Sequence, residues 1–201
     1  MRHVSYLAMA TLLLVVCAVR AEDKAAHLAV QSVNGQEGTG WHANLWKSRF
    51  PKMLERAKQG DVDIVFLGDS ITHFWETKGK ASYDKFFANR KVLNTAVAGD
   101  RTQHVLWILK DSTILDHITP KLFVLMIGTN NVGWNETNPA QTLEGIQAIL
   151  ATIREKEPQA KVLVFDVFPR GANDQDGLRK QVDEINRGIP ALCDGVHAIH
   201  C

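Results

Sequence analysis

Apolar positions along this chain switch repeatedly between two periods. Phe50, Met53, Leu54 and Ala57 fall at helical spacing, and Gly60 is placed to stop that helix. Residues 63 to 67 then form a short, nearly unbroken apolar run, the mark of a buried strand. The same switch recurs downstream. Lys91 to Thr95 reads as a strand, followed by a helix carrying Val105, Ile108 and Leu109. Leu122 to Ile127 is an apolar strand, and Asn138-Pro139 supplies an N-cap and first-turn proline for a helix with Leu143, Ile146, Leu150 and Ile153 on one face. Val162 to Phe168, a helix bearing Leu178, Val182 and Ile185, and a strand at Val196 to His200 complete the series. Near-continuous apolar strands separated by amphipathic helices predict a parallel five-stranded sheet in a three-layer α/β/α arrangement.

Composition suits one soluble domain: 201 residues, 45% hydrophobic and 22% charged. A formal net charge of +1 without a basic cluster gives no reason to expect nucleic acid. The first residues stand apart. Arg2 and His3 precede the apolar stretch Leu7 to Val19, and small residues lie before Glu22, the pattern of a signal peptide cleaved after Ala21. That stretch is too short for a comfortable membrane span, and Val16 before Cys17 does not suit lipid attachment. The expected organisation is a signal peptide over 1–21, a flexible lead-in over 22–45 and a domain over 46–201, secreted or periplasmic and without a stable membrane anchor. Cys193 and Cys201 flank an extended segment too long for their sulfurs to bond, so two free thiols are expected, and their spacing does not suit a metal.

Three strand ends carry candidate chemistry. After the first strand comes Gly68-Asp69-Ser70, which puts a serine hydroxyl at the mouth of the sheet and its N–H among the unpaired donors of a helix start. Alone, this tripeptide is an ordinary turn. Gly99 follows the second strand, where the lack of a side chain lets its N–H approach a substrate oxygen. Asn130 follows the third, and its amide is a neutral donor suited to a developing oxyanion. All three sit at the carboxyl edge, where such sheets bind ligands.

With these blocks the sequence resembles the SGNH, or GDSL-type, hydrolases, and within them the catalytic subunits of platelet-activating-factor acetylhydrolases and bacterial relatives. The likeness runs through Gly99-Asp100-Arg101-Thr102-Gln103-His104-Val105-Leu106-Trp107, Gly128-Thr129-Asn130-Asn131, Pro158-Gln159-Ala160-Lys161 and Pro169-Arg170-Gly171. It implies a flavodoxin-like fold, Ser70 as nucleophile, and an oxyanion hole made of the Ser70 N–H, the Gly99 N–H and the Asn130 side chain. Asn131 departs from the family's common Asp.

A serine also needs a base. Asp194-Gly195-Val196-His197 has the family's Asp-x-x-His spacing, but it opens the fifth strand, whereas the family's pair follows that strand and opens a last helix. His197 and His200 are therefore expected to be structural, and the domain is expected to lack its last helix and its catalytic Asp and His. His73 is expected to cap or face substrate, and His104 and Trp107 to pack their helix. Asp100 and Arg101 are expected to pair with each other, and Trp75 to sit in the core rather than line the acyl or leaving-group side. Asn135-Glu136-Thr137 is a glycosylation sequon. The reading is an esterase removing a short acyl group such as acetyl from a small molecule, lipid or carbohydrate, with no cofactor or metal and with homo-oligomer formation open. The alternative is an inactive secreted carbohydrate- or lipid-binding protein on the same fold.

Overall fold

The structure is a computed structural model and describes residues 27–201. The signal-peptide assignment falls outside these residues. Five parallel strands, β1 (Ile64–Gly68), β2 (Val92–Asn94), β3 (Leu122–Met126), β4 (Lys161–Val164) and β5 (Ala198–His200), lie in the order β2-β1-β3-β4-β5. The helices are α1 (Trp41–Lys58), α2 (Ser70–His73), α3 (Lys80–Phe87), α4 (Thr102–Lys110), α5 (Thr129–Gly133), α6 (Pro139–Lys156) and α7 (Gly177–Leu192). No helix among the described residues is long and apolar enough to cross a membrane.

Strand side chains alternate between two faces, and the faces differ in cover. Val65, Leu67, Leu93, Phe123, Leu125, Val162 and Val164 are buried in one core with residues of α1, α4, α6 and α7. On the other face Phe66 meets the α3 rings of Tyr83 and Phe87 at centroid distances of 6.4 and 5.2 Å. Beyond α3 that face opens into an apolar slot of about 380 Å³, lined by Ile64, Leu122, Val124, Leu163 and Phe165 among others. The expected three layers are present, the second one thin. Trp75, expected in the core, lines this slot with 36% of its surface exposed.

The anticipated caps form. Asn138 accepts from the Gln141 N–H at 2.9 Å, with Pro139 in the first turn. Cys193 and Cys201 are free thiols. The lead-in differs from expectation over its described part. A 3₁₀ turn at Leu28–Val30 buries Ala29 completely, and the Ala29 carbonyl accepts from the Thr102 hydroxyl at 2.8 Å. Helix α1 starts at Trp41 rather than beyond residue 45. A single small alanine leaves no periodic signal, and tertiary contact decides its conformation.

Candidate active site

Strand β1 delivers Ser70. The chain turns at Gly68, where an added Cβ would lie 2.8 Å from the Met126 carbonyl, so only glycine permits this approach of β1 to β3. Asp69 then N-caps α2, its carboxylate accepting from the Ile71 N–H at 2.9 Å, and Ser70 is the first helical residue, half-buried. As a first-turn donor its N–H has no intrahelical partner. Burial raises the Asp69 carboxyl to about 6, with Asp100 adding to the shift and the Ile71 N–H opposing it.

The loop after β2 is fastened to α2 and β1 at several points. The Asn94 amide donates to the Thr72 carbonyl at 3.0 Å, the Thr95 hydroxyl to the Phe66 carbonyl at 2.8 Å, and the Ala98 N–H to His73 Nδ1 at 3.2 Å. His73 is thus a loop anchor. Burial above all, and then Arg49, lowers its pKa to about 4, so it is a weak base at neutral pH. Gly99 has φ 90°, and an added Cβ would fall 2.6 Å from Trp41 Cη2. Among the described residues the Gly99 N–H has no acceptor.

Asp100 joins both candidate oxyanion donors. Its backbone carbonyl accepts from Asn130 Nδ2 at 2.9 Å, which leaves the second amide hydrogen for a substrate oxygen. Its side chain points into the protein, where Oδ1 accepts from Trp46 Nε1 at 2.7 Å and from His42 Nε2 at 3.0 Å. The expected pairing of Asp100 with Arg101 is not what forms. Asp100 is fully buried and turned toward α1, whereas the largely buried Arg101 side chain turns the other way to the Glu136 carboxylate. Burial raises Asp100 to about 6 against the opposing bonds from His42 and Trp46. Asn131 is spent on α4, accepting the Thr102 N–H at 3.1 Å and donating to the Thr102 hydroxyl at 3.0 Å.

His42, Asp100 and His104 bring ligand-type atoms within 4.8 Å of one another. Their hydrogen bonds already account for the arrangement. Asp100 Oδ1 has two donors, and His104 Nδ1 accepts the Arg101 N–H at 3.1 Å. His104 packs its helix as expected, and burial, then Arg101 and His42, lower its pKa to about 2. Below its ordinary value of 6.5, unfolded chains bind a proton that the folded protein refuses, so this contribution to stability is lost as pH falls from 6.5 toward 2. The stability difference between wild type and His104→Gln should therefore shrink between pH 7.5 and 4.5 in thermal melts. A constant difference would show that His104 is not held neutral.

Asp194 and His197 are elsewhere. Asp194 Oδ1 accepts the N–H groups of Val196, His197 and Ala198, and Oδ2 bonds His197 Nδ1 at 3.1 Å. Ala198 pairs with Val162 at the start of β4, so the two residues lie at the amino edge of the sheet, opposite Ser70, Gly99 and Asn130. His200, at the other end of β5, bonds Asp166 at 2.8 Å. Strand β5 is three strand spacings from β1, about 14 Å.

Residues 66–201 match the model of the GDSL-like lipase/acylhydrolase family. The chain belongs to this family. The GDSL-like chain is 34% identical over 155 residues to platelet-activating factor acetylhydrolase IB subunit alpha1 of Pongo abelii, covering 77% of this chain and 64% of that protein. It is 32% identical over 154 residues to the IB subunit beta homolog of Drosophila melanogaster, covering 77% and 65%. The chain thus spans just under two thirds of the length of these relatives. Among solved structures, a GDSL-like lipase from Bacteroides thetaiotaomicron superposes with a TM-score of 0.58 at 21% identity, covering 76% of each chain. Sequence reasoning placed Ser70, Gly99 and Asn130 just after β1, β2 and β3, where the structure has them. It missed His42 and Trp46, whose i,i+4 spacing on α1 is visible but whose buried partner lies 58 and 54 residues away.

Proposed function

We propose that this GDSL-like acylhydrolase is a serine esterase cleaving short-chain acyl esters through an acyl-enzyme on Ser70. The observation that carries the reading is the tie through Asp100, which sets the Gly99 loop and the Asn130 amide beside the Ser70 turn. Ser70 Oγ attacks the ester carbonyl, and the carbonyl oxygen takes up charge against the Ser70 N–H, the Gly99 N–H and Asn130 Nδ2. The C–O bond to the alcohol breaks, the alcohol leaves with a proton, and water hydrolyses the acyl-enzyme. Ionised Asp69 N-caps α2 and holds the turn that presents the hydroxyl.

No general base is assigned within the described residues. Among those residues no side chain bonds the Ser70 hydroxyl, His73 is spent on Ala98, and His197 lies at the opposite edge. The same observation favours a second reading, a binding protein for an acylated carbohydrate or lipid that keeps the crevice and does not turn over. Export with removal of residues 1–21 rests on the sequence pattern. The test uses a form extended beyond Cys201 by an Asp-x-x-His block and assayed on p-nitrophenyl acetate. Turnover that falls as the acyl chain lengthens supports the esterase, and His197→Gln in that form should stay within about threefold of the parent kcat, since His197 touches nothing that reacts. No turnover favours the binding protein, and loss of activity in His197→Gln would make Asp194 and His197 the acid and base.

A further inference from the structure

Two tryptophans stand half-open beside the candidate oxyanion hole. Trp41, the first residue of α1, is 55% exposed, and Trp134, just after α5, is 47% exposed. Their ring centroids are 6.0 Å apart with the planes tilted by 45°. Each is fixed to a different donor of the site. The Trp41 ring edge rests on Gly99, filling the space where a side chain would begin, and the Trp134 main chain closes α5, its backbone N–H donating to the Asn130 carbonyl at 3.1 Å. The Arg101 guanidinium sits 5.3 Å over the Trp134 ring and is held there by Glu136.

Two adjacent exposed rings make a contiguous apolar patch of the kind that marks a ligand site. The surroundings select the kind of ligand. An acyl chain gains most from an enclosed apolar slot, and this platform is open and bordered by the charged groups of Arg101 and Glu136. A pyranose ring fits those features. Its axial C–H bonds are weakly positive and suit the negative face of an indole, while its equatorial hydroxyls reach outward to charged partners at the rim.

We propose that Trp41 and Trp134 form a stacking platform for the sugar ring of an acylated carbohydrate, so that the alcohol half of the substrate is a saccharide. This rests on Ser70, Gly99 and Asn130 being the acylation site. Ser70 Oγ forms its bond to the acyl carbon, the ester bond to the sugar oxygen breaks, and that oxygen departs as a hydroxyl while the ring is still stacked. The platform is chain-local and independent of the base, so the chain as it stands can be tested for binding.

The experiment titrates the 201-residue protein with cellotriose, read by tryptophan fluorescence and by isothermal calorimetry. Saturable binding is expected. Trp134→Ala and Trp41→Ala should each weaken it at least tenfold, Trp41→Tyr should retain most of it by keeping a ring over Gly99, and Trp75→Ala, on the opposite sheet face, should leave it unchanged. Dibutyroyl phosphatidylcholine serves as the competitor of lipid chemistry. No binding of cellotriose overturns the proposal, as does binding that survives Trp134→Ala and Trp41→Ala together, or displacement by the phospholipid at equal concentration. Failure here and failure of the esterase reading are separable. Tryptophan-dependent sugar binding without a fluorophosphonate adduct on Ser70 of the extended form leaves the platform and removes the esterase, and an adduct without sugar binding does the reverse.

Discussion

Ser70→Ala is expected to remove all measurable ester hydrolysis from the form extended by an Asp-x-x-His block, while the folded state survives. In the proposed mechanism this hydroxyl forms the covalent bond, and no neighbouring described serine or threonine is placed to replace it: Thr72 is buried and Thr129 receives Arg170. Its loss leaves no cavity of consequence, because Ser70 is half-buried and its hydroxyl supports no described side chain. The thermal midpoint should therefore move by no more than about 2 °C, the usual range for a substitution away from the core. Steady-state rates on p-nitrophenyl acetate and a melting curve decide it together. Residual turnover above a few parts in 10⁴ in a folded variant would point to another nucleophile.

The second large effect is at Asn130. Replacement by alanine should lower kcat by about 10²–10³, the usual consequence of losing one oxyanion donor. The structure adds a cost in stability. Asn130 Nδ2 also satisfies the buried Asp100 carbonyl, so truncation strands that acceptor and should cost about 1–3 kcal/mol. The two effects separate by measuring kcat well below the midpoint, where the variant is fully folded. A kcat equal to the parent's, with the stability loss present, would make Asn130 a loop fastener and nothing more.

How much of this was legible in the sequence depends on how local each feature is. Ser70, Gly99 and Asn130 were readable because each directly follows an apolar strand, and the strand end places them without knowledge of distant partners. The sheet was readable for the same reason. Helix α3 was not, since Lys80 to Phe87 mixes Lys80, Asp84 and Lys85 with Tyr83, Phe86 and Phe87 and shows no clean apolar stripe. The role of Asp100 was misread because its only sequence neighbour of opposite charge is Arg101. Its true partners, Trp46 and His42, are brought in by α1, and the cost of burying an unpaired carboxylate, not local pattern, selects them. Asp194 and His197 show the reverse lesson. Their spacing suggests catalysis, their place at the opening of the fifth strand argued against it in the sequence, and the register of β5 on β4 puts them at the amino edge, opposite Ser70.

The most direct test of the central claim is the site of covalent modification. The extended form is treated with a fluorophosphonate, digested with trypsin and analysed by mass spectrometry. One phosphonyl group is expected on the peptide from Gln59 to Lys78, at Ser70, and none in the Asn130→Ala protein at matched short exposure. An adduct confined to any other residue, or no adduct on a form that hydrolyses p-nitrophenyl acetate, would contradict the assignment of Ser70 as nucleophile.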